Sequence, residues 1–267
     1  GTYSATGGET IITGETGAGR AVDIVGTFTH NSGTLSIQTP ADTLLRWPSS
    51  SSAYHIRIND ASCIARPTGD NKPLIAGNLT ISAGEFNTLE GGQDHALTVT
   101  GKTEITTGTL TLNGSTCLLN SGGTAGGLVL NANATVLADA DSTVTMGSIE
   151  AGYDSSINIR LAGTNTINNY RSSTDKTMKL PPGVVDPASS TTSFTVTTSA
   201  TNTEVSAVNL VDLTFTPASG TPNFNLDSGY GGIDIEGNIT ISAGVTITTN
   251  NQPFTIGKQC NLAGTLV

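Results

Sequence analysis

Two acidic residues, Asp139 and Asp141, stand close together in a short polar segment. Carboxylate oxygens at this spacing can bind Ca²⁺, and a pair of carboxylates can also carry out glycoside hydrolysis. Neither an EF-hand loop nor the glycine-rich nonapeptide of calcium-binding β-helices surrounds them. The segment is more typical of a solvated corner between strands. We therefore expect a corner, with a metal site or a catalytic pair as alternatives, and we assign no catalytic residue, metal or other cofactor to the chain.

Three histidines, His30, His55 and His95, have side chains suited to general acid–base chemistry. Asp94 precedes His95, and Arg57 follows His55 by two residues. No Gly-x-Ser-x-Gly elbow, His-Glu-x-x-His motif or phosphate-binding loop accompanies them. The sequence thus predicts exposed loop histidines in a protein that is not an enzyme.

An aromatic and basic concentration lies between residues 40 and 73, where Trp47, Tyr54 and Arg57 occur together. Aromatic rings stack on sugars or anchor protein contacts. Because only 4% of the residues are aromatic, the clustering marks a candidate binding surface. Local packing of a loop, a contact between subunits and glycan binding are the three interpretations of these residues.

Threonine pairs separated by one residue recur along the chain, for example Thr98 with Thr100 and Thr109 with Thr111. Regular rows of such pairs are typical of flat ice-binding faces. Here the pairs occur at changing intervals, with charged residues such as Glu104 among them. We therefore do not expect an ice-binding face.

The charge balance excludes several classes of partner. The 267 residues include 11 Lys and Arg against 21 Asp and Glu, a formal net charge of −10. Such a field repels nucleic-acid phosphates and anionic lipids, and no apolar run approaches the roughly 20 residues that span a bilayer. We expect neither nucleic-acid binding nor membrane insertion. Cys63, Cys117 and Cys260 are too widely spaced for a zinc ribbon, so we expect free, buried thiols or at most one disulfide.

Short runs of alternating apolar and polar residues occupy most of the chain, and helical periodicity is absent. Runs such as 79–82, 109–112 and 233–236 are typical of strands with one buried face. The Gly, Asn, Ser and Asp residues between them favour tight corners. Three such strands with their corners require about 20 to 25 residues, the size of one solenoid turn. The sequence predicts an all-β, right-handed parallel β-solenoid, with antiparallel β-sandwich domains as the alternative.

An internal repeat suggests two related blocks. The string Gly-Asn-Leu-Thr-Ile-Ser-Ala-Gly at 77–84 returns at 237–244, with isoleucine replacing leucine at Ile239. We expect the two copies to occupy equivalent positions, with their apolar residues facing the interior.

Two proline-containing segments interrupt the strand pattern. We interpret about 40–73 as a side loop of a first block, 1–169, and 170–192 as a loop or junction before a second, related block, 193–267. The interpretation depends on proline removing a ladder donor from a strand.

The strings at 26–35, 77–84 and 107–115 resemble repeats in large β-helical proteins of bacteriophage virions and tail fibres, and similar repeats occur in bacterial surface adhesins. The resemblance implies a non-enzymatic structural component of a phage particle, such as a tail fibre, spike or capsid decoration. By analogy we expect a homo-oligomer, with three-fold assembly, at the virion or extracellular surface. Its partners would be other virion proteins or a host-surface glycan. A bacterial adhesin fragment and a β-helical polysaccharide lyase or hydrolase are the alternatives.

Overall fold

The computed structural model describes residues 2–4, 7–48, 51–69, 74–119, 127–152, 154, 156–169, 176–185, 192–198, 203–226 and 232–267. These residues form short strands joined by turns and contain no helix. The described part of the chain therefore has no helical segment that could cross a membrane.

The strands, in chain order, are β1 (Thr2–Ser4), β2 (Glu9–Ile12), β3 (Arg20–Asp23), β4 (Thr27–Thr29), β5 (Thr34–Ile37), β6 (Asp42–Arg46), β7 (His55–Pro67), β8 (Leu74–Ile75), β9 (Leu79–Asn87), β10 (Leu89–Glu90), β11 (Gln93–Asp94), β12 (Leu97–Val99), β13 (Thr103–Ile105), β14 (Thr109–Thr111), β15 (Thr116–Leu119), β16 (Leu128–Leu130), β17 (Thr135–Ala138), β18 (Thr143–Met146), β19 (Ile149–Ala151), β20 (Asn158–Leu161), β21 (Thr164–Asn169), β22 (Lys176–Leu180), β23 (Phe194–Thr198), β24 (Thr203–Leu210), β25 (Leu213–Pro217), β26 (Asn223–Leu226), β27 (Ile233–Ile235), β28 (Ile239–Ile241), β29 (Thr246–Thr248), β30 (Phe254–Ile256), β31 (Cys260–Leu262) and β32 (Thr265–Leu266).

The strands stack along three faces of a solenoid. Sheet 1 has nine strands in the order β8, β12, β15, β18, β21, β23, β25, β28 and β31, one from each of nine turns. Sheet 2 runs from β2 through β5, the first halves of β7 and β9, β13, β16, β19 and β22, and it continues through β24, β26 and β29 to β32. The second half of β24 also pairs with β27, and β27 pairs with β30. Sheet 3 runs from β3 through β6, the second halves of β7 and β9, β14 and β17 to β20.

Strand direction decides between the two predicted architectures. Among the described strands, every pairing is parallel except that of β10 with β11. The predicted parallel β-solenoid is therefore confirmed, and antiparallel sandwich domains are excluded.

The core is a narrow column of stacked side chains. Five isoleucines stand in register on the inner side of sheet 2, namely Ile12, Ile37, Ile58, Ile81 and Ile105. The last four are fully buried. Burial of each such side chain contributes about 1.5–3 kcal/mol. Successive turns therefore adhere through identical neighbours rather than through a wide core.

The segment predicted as a side loop, 40–73, contains strands. Asp42–Arg46 (β6) and His55–Pro67 (β7) pair in parallel with each other and with neighbouring turns. The prediction is wrong for these residues, while 49–50 and 70–73 lie outside the described residues. Pro67 is the last residue of β7, where its missing N–H removes little from the ladder.

The segment predicted as a junction, 170–192, also contains a strand. Lys176–Leu180 (β22) pairs with β19 and β24, so the prediction is wrong for this part. Residues 170–175 and 186–191 lie outside the described residues. Because β21 pairs with β23, sheet 1 continues without a break from the first predicted block into the second.

The two copies of the eight-residue repeat lie on different faces. Leu79 and Ile81 belong to β9 in sheet 2, whereas Ile239 and Ile241 belong to β28 in sheet 1. All four side chains are fully buried, which confirms the inward orientation. The prediction of equivalent positions is wrong, because alternation determines which side of a strand faces inward but not which face of the solenoid the strand joins.

Candidate functional site

Tyr54, one of the predicted binding residues, lies at the corner that leads into β7. Its ring stacks on His30 of the preceding turn, with centroids 5.1 Å apart and 23° between the planes. The same ring meets His55 edge-on at 4.4 Å. The three half-buried rings form one aromatic patch on the outside of the solenoid.

A cleft of about 200 Å³ opens beside the aromatic patch. The cleft forms where the parallel register places Thr34 beside His55 and Arg57 beside Thr80 on neighbouring turns. The guanidinium Nη1 of Arg57 lies 3.5 Å from Oε1 of Glu9, and both side chains are more than 40% exposed. The lining residues are Glu9, Thr34, His55, Ile56, Arg57, Asn78 and Thr80. A cation, a carboxylate, an amide and two hydroxyls thus converge next to aromatic rings, as in sites that hydrogen-bond a small polar ligand.

The surroundings of His55 favour the neutral form of its imidazole. Burial lowers the pKa of its imidazole, and the nearby His30 lowers it further. Nδ1 of His55 accepts a hydrogen bond from the backbone N–H of Asn78 at 2.9 Å. Because a protonated Nδ1 cannot accept this bond, the contact also favours the neutral form.

Trp47 does not join the cleft. Its side chain is only 2% exposed and packs in the hydrophobic core with Leu45. Thr43, Leu45 and Trp47 alternate inward along and just beyond β6, which continues the period of the strand. Of the three interpretations of Trp47, local packing is therefore the one that agrees with the structure.

Two other arginines between 40 and 73 are paired with acids of neighbouring turns. Nε of Arg46 lies 3.4 Å from Oδ1 of Asp23, and Nε of Arg66 lies 2.8 Å from Oδ1 of Asp42. Such partly exposed pairs contribute about 0.2–1 kcal/mol each. Their positive charge is locally compensated, so these two arginines do not form a basic patch.

Asp139 and Asp141 lie at the corner between β17 and β18, and both are exposed. Neither carboxylate forms an ion pair with a described residue. The carboxylate of Asp141 lies over Gly114 of the preceding turn, where an added Cβ would come within 2.7 Å of Oδ1. Within the described ranges, no three His, Cys, Asp or Glu side chains lie close enough together to hold a metal ion. The two acids therefore have the surroundings of a solvated corner.

A second cleft, of about 500 Å³, lies beside the short hairpin β10–β11 and was not predicted from the sequence. Arg66 forms one wall, with its Nε bonded to Asp42 and its Nη1 donating to the carbonyl of Leu89 at 2.8 Å. It thereby ties the hairpin to the solenoid. Gly91 and Gly92 both have positive φ, as a two-residue type I′ turn requires, so this Gly-Gly pair was the signal for a hairpin.

No protein-family model matches the chain, and no curated protein or solved structure matches it either.

Proposed function

We propose that the chain is a non-enzymatic structural component of a bacteriophage particle, such as a tail fibre, a spike or a capsid decoration. The observation that carries the proposal is the continuous parallel stack, in which sheet 1 alone runs through nine turns. Its main-chain hydrogen bonds lie along the solenoid axis, so that a stiff rod forms without a wide core. The resemblance of 26–35, 77–84 and 107–115 to phage β-helical repeats supports the same role.

Association with other copies follows from this role. Each sheet of a solenoid ends in strands with unpaired main-chain groups, and these edges must be covered to avoid uncontrolled pairing. We expect a homo-oligomer with three-fold assembly, in contact with other virion proteins at the outer surface of the particle.

We propose that the cleft beside Tyr54 binds a host-surface glycan. Arg57, Glu9 and Asn78 offer donors and acceptors, and the aromatic patch offers a ring for stacking against a sugar. We expect Arg57→Ala to weaken binding to bacterial surface polysaccharides at least tenfold. Arg160→Ala, which removes a half-buried arginine from sheet 3 far along the chain, is the matched control and should bind like the native protein. Equal binding by both variants would show that the cleft is not the glycan-binding site.

Immunogold electron microscopy tests the particle assignment against its alternatives. Antibodies against the chain are applied to the virus-sized and cell-sized fractions of a sample that carries its gene. Label on particles supports the proposal, whereas label on bacterial envelopes supports a surface adhesin and contradicts it.

A polysaccharide lyase or hydrolase makes a different prediction. Such an enzyme needs carboxylates and a base on adjacent turns, whereas Asp139 and Asp141 stand together at an exposed corner. Incubation with acidic and neutral polysaccharides should release neither reducing ends nor unsaturated products. Turnover that is lost in Asp139→Asn or Asp141→Asn would overturn the non-enzymatic role.

A further inference from the structure

The outer side of sheet 1 carries a row of identical residues. Thr145, Thr166, Thr195, Thr214 and Thr240 are register partners on five successive strands, β18, β21, β23, β25 and β28. All five are half-buried, as expected for side chains that stand upright between neighbours on a sheet surface. In the sequence they are 21, 29, 19 and 26 residues apart, which is why the intervals concealed the row.

A second threonine on four of these strands widens the row into a grid. Thr143 and Thr164 are paired beside the row on one side, and Thr197 and Thr216 are paired on the other. Hydroxyl and methyl groups thus repeat about every 4.8 Å across strands and roughly every 6.6 Å along them. The threonines thus align on this face although their intervals in the sequence change.

The same sheet carries no charge. Its nine strands contain no Asp, Glu, Lys or Arg in the described residues. By contrast, one outward row of sheet 2 holds Arg57, Glu104, Glu150 and Lys179 on nearby turns. Among the described strands, the charged residues of this chain, whose net charge is −10, therefore lie outside sheet 1.

Sheet 1 is also the most regular of the three faces. The described register shifts all occur in sheets 2 and 3 or their continuation in β24 and β27. The nine strands of sheet 1 pair without any such shift. The central threonine row is consequently evenly spaced from strand to strand.

We propose that this threonine face binds ice. A lattice of water molecules is uncharged and repeats at fixed distances, and a fixed, uncharged grid of hydroxyl and methyl groups is complementary to it. Charged side chains would hold tightly bound hydration water of their own, and this face has none. A crystalline polysaccharide would call for outward aromatic rings, but the two phenylalanines of sheet 1, Phe194 and Phe215, face the core.

Rigidity favours binding to a lattice. The branched Cβ restricts χ1 of threonine, and the in-register neighbours restrict it further. Little side-chain entropy is then lost when the face meets an ordered surface. This property belongs to the face itself, whatever particle carries the chain, and it goes beyond the proposed structural role.

Ice itself is the probe. The full chain should produce faceted crystals and a gap between melting and freezing temperatures in a nanolitre osmometer, and the labelled protein should adsorb to a growing ice hemisphere. Thr195→Tyr places a bulky ring in the middle of the row and should abolish both effects. Thr214→Lys adds a charge to the same row and should do the same.

Thr109→Tyr is the matched control, because Thr109 is a half-buried outward threonine of sheet 3, between Glu85 and Thr135. It should retain full ice activity, and far-UV circular dichroism and melting curves verify the fold of each variant. Absence of ice activity in the native chain, or equal loss in Thr109→Tyr, would overturn the proposal. So would a native dimer that Thr195→Tyr dissociates without any adsorption to ice, since the face would then be a contact between copies.

Discussion

The imidazole of His55 accepts a hydrogen bond from the backbone N–H of Asn78, with 2.9 Å between Nδ1 and the nitrogen. One turn later the side-chain oxygen of Asn78 accepts the backbone N–H of Lys102, also at 2.9 Å. His55 and Asn78 therefore perform the same task at the same corner, each holding the main chain of the following turn. The titratable member of this pair also lines the candidate glycan cleft.

This corner predicts a pH dependence of stability. The pKa of His55 is lowered from its ordinary value of 6.5, so the folded chain binds fewer protons than the unfolded chain just below pH 6.5. The contribution of neutral His55 to the free energy of unfolding is fully present above pH 6.5. It is lost as the pH falls through the lower pKa of His55 in the folded state. His55→Asn keeps an acceptor but cannot titrate. Melting temperatures measured between about pH 7 and about pH 5 should fall less steeply for this variant, and identical slopes would contradict the prediction.

Close approach of successive turns predicts intolerance of a methyl group at Gly77. An added Cβ would lie 2.5 Å from the carbonyl oxygen of Tyr54 and 2.6 Å from Nδ1 of His55. Gly77→Ala should therefore lower the free energy of unfolding by about 1–3 kcal/mol, as overpacking does. Gly17→Ala, with nothing within 4 Å of the added atom, should stay within about 0.5 kcal/mol of the native chain. Urea titrations measure the free energy of unfolding of both variants. An unchanged value for Gly77→Ala would contradict the prediction, because it would show that the main chain at this corner can move to accept the methyl group.

Alternation along β9 predicts opposite outcomes at adjacent positions. Ile81 is fully buried, whereas Thr80 stands outward between its register partners Arg57 and Glu104. Ile81→Asp should cost about 3 kcal/mol or more, because it buries an unpaired carboxylate and leaves a cavity. Thr80→Asp should cost about 1 kcal/mol or less. Thermal melts that found both variants equally damaged would contradict the inward and outward assignment.

Thiol reactivity should separate the three cysteines. Burial raises the pKa of Cys63 to about 11 and that of Cys117 to about 12, whereas Cys260 is exposed. A thiol-reactive reagent, which attacks the thiolate form, should modify one cysteine in the folded chain and all three after denaturation. Cys260→Ser should leave no rapidly reacting thiol. Rapid modification of a second cysteine in the native state would indicate that the core opens more readily than its packing suggests.

The sequence alone determined the local structure of this protein. The run around Ile81 and its copy around Ile241 correctly predicted strands with these residues facing inward, because alternation is a property of the extended backbone itself. The absence of helix from the described residues, the corners rich in Gly and Asn, and the parallel solenoid followed from the same pattern. Proline was the misleading signal, since Pro67 ends a strand instead of excluding one.

Only the tertiary structure decided which residues became neighbours. It placed the two repeat copies on different faces, buried Trp47, brought His55 to Asn78 and aligned Thr145 with Thr166 and their successors. The physical reason is that register depends on the number of residues at each corner. Along the threonine row, the number of residues from one threonine to the next changes by up to ten between successive turns. A local pattern of period two carries no record of those lengths, so the faces of the solenoid, and the surfaces that they offer to ligands, emerge only when the turns are stacked.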